Sequence, residues 1–223
     1  MSSANSPLLN EEEQLALKQS AQAVQTAVSG HLAKVQSPGQ VVYFITHLQT
    51  GIDRLVQQAQ SAAIACQPGC SHCCHAEVKV LAPEVFAIAR EIHKLPAPQV
   101  DEIKQRLAEH ANQDIKASAW NQRPACPFLE NHLCTIYAIR PAVCRRAHSL
   151  DKDACASSNP EIPQQLGLSL GSEALLHGTA SAYENHGLDA RYYNFSRALL
   201  LVLSHAGAEG RWMAGEKILA ENA

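Results

Sequence analysis

Seven of the chain's eight cysteines fall in two groups between residues 66 and 144. The first group runs Cys66-Gln-Pro-Gly-Cys70-Ser-His-Cys73-Cys74. The second sets Cys126, Cys134 and Cys144 among Pro127, Arg140, Pro141, Arg145 and Arg146. A thiolate is a soft anionic donor, and several at short spacing on both sides of a gap are the sequence form of a zinc or iron–sulfur site. Buried cysteines used as small apolar side chains would be scattered, whereas these cluster beside proline, glycine and arginine. Magnesium and calcium take oxygen ligands, so this donor set argues against them.

The metal-ligand candidates are Cys66, Cys70, Cys73, Cys74, Cys126, Cys134 and Cys144. A helix from Gly69 onward would carry Cys70, Cys73 and Cys74 at i, i+3 and i+4 on one face, with Cys66 folded back across Pro68-Gly69. Side chains of adjacent Cys73 and Cys74 diverge on a helix. Their adjacency therefore points to two metals, a bridging thiolate or a multinuclear cluster. Arg140 and Arg145 are the expected charge partners, since guanidinium groups offset a thiolate-rich centre and lower thiol pKa values. Seven thiols exceed one tetrahedral set, and Cys155 could supply an eighth. His72, His75, His132 and His148 are close in sequence, but the thiols already suffice, so they are expected around the site rather than in it. A thioredoxin-like redox pair at Cys70-x-x-Cys73 lacks the strand that should precede it.

Composition narrows the setting. The net charge of −3 and a sequence pI near 6.4 give no electrostatic footprint for nucleic acid or anionic lipid. The longest strongly apolar run, Ala198 to Leu203, is too short to cross a bilayer. No lysine or arginine precedes Lys18, and Glu11-Glu12-Glu13 does not fit a secretory signal. The expectation is a cytoplasmic protein, where thiols stay reduced and a disulfide framework is disfavoured. No nucleic-acid or membrane partner is expected, and a protein partner is left open.

A mainly α fold is expected to position the site: a helical hairpin and further helices around a loop-rich cysteine region. Asn10 is an N-cap with Glu13 at the capping-box position. Leu17, Ala21, Val24, Val28, Leu32 and Val35 then make one apolar stripe, stopped by Ser37-Pro38-Gly39. A second helix is expected over Gln40–Ala65, antiparallel to the first. Ala82-Pro83-Glu84 opens a third, ended by Leu95-Pro96-Ala97-Pro98, and a fourth covers Gln99 to about Ala117. The second cysteine group is expected to be loop. Helices follow over Gln164–His177, Ala190–His205 and Arg211–Glu221. The organisation is residues 1–65 as the hairpin, 66–155 as the metal-binding region and 156–223 as a C-terminal helical segment, forming one unit.

At Cys70, Cys73 and Cys74, Val80-Leu81-Ala82-Pro83-Glu84, Cys126-Pro-Phe-Leu129, Cys134-Thr-Ile-Tyr137 and Arg140-Pro-Ala-Val-Cys144-Arg145, the chain resembles the YkgJ-type cysteine-cluster family. The resemblance covers roughly residues 66–148 and implies a zinc- or iron-chelating domain. In this chain the leading cysteine stands four positions before Cys70 where the family has it three before, and Ala82 replaces a threonine cap. The cysteine domain is also similar to that of flagellin lysine N-methylase, which implies an iron–sulfur centre and methyl transfer for that relative. No glycine-rich methyl-donor motif occurs here. The expected cofactor is an iron–sulfur cluster or zinc, the cluster preferred. Three roles stay open: a metal-holding protein, a redox or methyl-transfer enzyme using the cluster, and a zinc-stabilised interaction module.

Overall fold

Helix α1 (Glu11–Leu32) begins as its sequence dictates: Asn10 accepts from the Glu13 N–H while the Glu13 carboxylate accepts from the Asn10 N–H, both at 2.9 Å. Two of the otherwise orphaned donors of the first turn are thus satisfied. The computed structural model describes residues 9–35, 37–59, 64–113, 123–157 and 161–222. Pro38-Gly39, expected to end a helix, opens one instead. Proline has no N–H to lose in a first turn, and α2 (Pro38–Tyr43) starts with Ser37 at its cap. A turn at Phe44 separates it from α3 (Ile45–Ala59), so the expected single helix over 40–65 is two. Residues 60–63 lie outside the described residues.

The middle of the chain contains β1 (Lys79–Leu81), α4 (Ala82–Ile92), α5 (Ala97–Ala111), β2 (Leu129–Glu130), β3 (Leu133–Cys134), α6 (Ala142–Arg146) and α7 (Lys152–Ala156). Then come α8 (Leu166–Asn185), β4 (Tyr192–Asn194), α9 (Phe195–Ser204) and α10 (Ala208–Met213), ending in a 3-10 turn over Ile218–Asn222. The mainly α class holds. The end of the fourth expected helix, residues 114–117, lies outside the described residues.

Two small antiparallel ladders were not foreseen. β1 pairs with β4 in the register Lys79↔Asn194, Val80↔Tyr193 and Leu81↔Tyr192. β2 and β3 form a hairpin whose turn residues, Asn131 and His132, both have positive φ. Ladders of two or three residues are too brief to show an alternating pattern in sequence.

The principal partner of α1 is α8, with α3 against the same helix. Gly178 makes the approach of α1 to α8 possible: a Cβ there would stand 2.5 Å from the Ala21 carbonyl oxygen and 2.6 Å from Val24 Cβ. No side chain fits at such distances. The N- and C-terminal segments therefore share one core. At its centre Trp212 is fully buried against Phe86 and Tyr183, with ring centroids 5.3 and 6.1 Å away. Their polar atoms are served as well: Trp212 Nε1 donates to the Asp189 carbonyl at 2.7 Å, and Tyr183 Oη donates to the Val41 carbonyl at 2.7 Å. Among the described residues no helix is long and apolar enough to cross a membrane.

Candidate metal centre

The first cysteine group does not extend a helix from Gly69. Gly69 takes a positive φ of 87°, a conformation that suits glycine and breaks the chain direction. The only helical piece is a 3-10 turn over His72–His75, which carries Cys73 and Cys74 but not Cys70. The i, i+3, i+4 face expected from spacing is therefore replaced by a tight turn. A run of Cys, His and Ser between a Pro-Gly break and Ala76 has little that would sustain an α-helix.

This turn is fastened directly to the second group. The Cys126 N–H donates to the Cys74 carbonyl at 2.7 Å. The Ser71 hydroxyl meets His132 Nδ1 at 3.1 Å, and His75 Nδ1 donates to the Arg123 carbonyl at 2.8 Å. Cys134 sits in β3 opposite Leu129, and Cys144 in α6, so a hairpin and a short helix present what were expected to be loop cysteines. The second group is locally ordered by its own backbone. Thr135 N–H donates to the Phe128 carbonyl at 2.8 Å, while Phe128 is buried against Phe195, 5.7 Å between centroids.

The thiols act on one another electrostatically. Cys74 beside it, then burial, raise the Cys73 pKa, and Arg140 opposes the rise. Burial, then Cys134 and Cys73, push Cys126 up to about 11. Burial raises Cys144, with Cys126, Cys73, Glu84 and Cys134 adding to it. Burial and Cys73 also raise Cys134, which Arg140 counters. Cys73 is thus common to the whole second group. The sulfurs of Cys126 and Cys134 each receive the backbone N–H two residues on, from Phe128 and Ile136. N–H donors aimed at sulfur stabilise the anionic form that a metal requires.

A second neighbourhood forms around Cys66. Burial raises its pKa, and Cys70, Cys73 and Cys155 contribute. The segment is held by the Ala65 N–H donating to the Ser149 carbonyl at 2.9 Å. Helix α7, which carries the buried Cys155, rests on the His72–His75 turn. Cys155 thus lies near the first cysteine group. No disulfide joins any of the eight cysteines.

The two arginines differ. Arg140 lies 3.7 Å over the Tyr137 ring, donates to the Tyr137 carbonyl at 2.7 Å and faces Cys73 and Cys134. Arg145 does other work: it is buried, donates to Asp53 Oδ2 at 2.6 Å, to the Arg140 carbonyl at 2.9 Å and to the Ala138 carbonyl at 2.5 Å. It ties the loop ahead of Cys144 to α3, so its effect on the thiols runs through position. His148 is consumed by backbone: Nδ1 donates to the Arg146 carbonyl and Nε2 accepts from the Gln165 N–H, at 2.8 and 2.9 Å. With both nitrogens engaged, its imidazole has no lone pair to offer a metal.

Glu84 was expected to assist a helix start, and it does more. Fully buried, it accepts from the Leu81 N–H at 3.1 Å and from the Ala142 N–H, in the first turn of α6, at 2.7 Å. One carboxylate joins the beginnings of α4 and α6 and sets the placement of Cys144. Burial raises its pKa, opposed by those two N–H groups, Arg145 and Gln49.

Among the described residues no group of three or more His, Cys, Asp or Glu side chains stands ready in a metal-holding arrangement. The fold is mainly helical, with Cys73 and Cys74 on the His72–His75 turn, Cys134 on β3, Cys144 on α6 and Cys155 on α7. Residues 65–161 match the family CxxCxxCC, described as "Putative zinc- or iron-chelating domain". The match covers the stretch where the YkgJ-type motifs lie. No curated protein and no solved structure matches the chain.

Proposed function

We propose that this protein holds an iron–sulfur cluster or zinc through Cys66, Cys70, Cys73, Cys74, Cys126, Cys134 and Cys144, with Cys155 as a further thiol, in the cytoplasm. The observation that carries the reading is the Cys126 N–H to Cys74 carbonyl bond, 2.7 Å long. It joins two cysteine groups that are distant in sequence, which supports a site shared between them.

The donor set fits such a group. Thiols crowded as these are raise one another's pKa values because adjacent negative charges repel. A cation among them reverses the sign of that interaction, and coordinated thiols give up their protons. Uptake therefore releases protons, and affinity weakens as pH falls. All-sulfur ligation suits zinc and iron–sulfur centres alike, and the metal or cluster would supply either structural cross-linking or electron transfer. The number of thiols, above what one tetrahedral ion needs, favours the cluster.

The test is metal and acid-labile sulfide analysis with a visible spectrum on protein purified without oxygen. Brown protein containing iron and sulfide is the expected result. Colourless protein with zinc moves the assignment to a structural zinc site, and absence of both metals overturns it.

A further inference from the structure

We infer that the groove where α1 gives way to α2 and α3 binds a small organic anion with a flat conjugated face, of the benzoate type. The groove encloses about 310 Å³ and is lined by His31, Lys34, Tyr43, Phe44 and His47, among others. That volume is at the lower end for small-molecule sites, roughly 300–1,000 Å³. No cysteine lines it, so it is separate from the metal centre.

Its chemistry is divided between floor and rim. Phe44 is buried and stacks on the His31 ring, centroids 4.4 Å apart and planes 29° from parallel. His47 stands 5.0 Å from Phe44 and 5.8 Å from His31, so the three rings pack as one aromatic cluster along the groove. A planar guest gains offset stacking against such faces. His31, Lys34 and His47 are exposed and carry N–H donors, and neither Asp nor Glu occurs in the described lining. Donors without carboxylates select an anion, and ring faces select a conjugated one. Two imidazoles fall short of the three or four protein ligands of a zinc site, which argues against a metal here. The turn at Phe44 that splits the expected long helix is what brings Phe44 and His47 to α1.

The test is a titration of the full-length, metal-loaded protein with benzoate, followed by NMR of the imidazole ring signals. Saturable shifts of His31 and His47 are expected. Acetate, with the same charge and no ring, should bind at least about tenfold more weakly. The double variant Lys34→Gln/His47→Gln should lose about tenfold in benzoate affinity, the size of a lost charge-assisted hydrogen bond. Both residues are exposed, so an unchanged far-ultraviolet spectrum verifies that the variant folds. Absence of saturable shifts, equal binding of acetate, or full affinity in the folded variant each overturns the inference.

Discussion

Cys126→Ser is expected to lower metal content sharply and to reduce stability by several kcal/mol. A structural zinc contributes about 10–16 kcal/mol in small zinc-dependent folds, and a serine hydroxyl is a poor replacement for a thiolate. The position is chosen because Cys126 occupies the junction. Its N–H holds the Cys74 carbonyl, its sulfur receives the Phe128 N–H, and its charge is felt by Cys144. Serine keeps the backbone bond and nearly the same volume, so the loss reports ligation rather than packing. Metal analysis beside urea unfolding checks it. Wild-type metal content with unchanged stability would remove Cys126 from the site.

Glu84→Ala is expected to cost about 3 kcal/mol or more, because it strands two buried backbone N–H groups, of Leu81 and Ala142, each worth about 1–3 kcal/mol when left unpaired. It also empties volume at a fully buried position. Glu84→Gln retains one carbonyl acceptor and should cost less. The larger consequence is for the centre, since α6 carries Cys144 and loses its tether to α4. Urea unfolding of both variants, with metal content measured on each, checks the order Ala worse than Gln worse than wild type. Equal stability of Glu84→Ala and wild type would show that the carboxylate is not the tie it appears in the hydrogen-bond pattern.

The sequence displayed donors more clearly than it displayed their placement. Cysteine spacing, the Asn10–Glu13 cap and the Pro83-Glu84 helix start are local features, decided within a few residues, and each could be read directly. The tie between Cys126 and Cys74 spans 52 positions, and no spacing rule encodes it. The same holds for the pairing of β1 with β4 and for the lodging of α1 against Gly178, which depend on segments far apart in the chain. Arg145 is instructive: arginine beside cysteine suggests a charge partner, yet tertiary structure turns it to Asp53. Glu84 had the right element and an incomplete role, because its second partner, Ala142, lies 58 residues away. Cys155 stood apart in the sequence as a possible eighth thiol, and the seating of α7 on the His72–His75 turn sets its helix against the first cysteine group.

The most direct test of the central claim is the metal-edge X-ray absorption fine structure of the purified protein. This account predicts a first coordination shell made of sulfur, at about 2.3 Å if the ion is zinc. A shell of nitrogen or oxygen at about 2.0–2.2 Å would mean that histidines or carboxylates hold the metal, and the thiolate centre described here would be wrong.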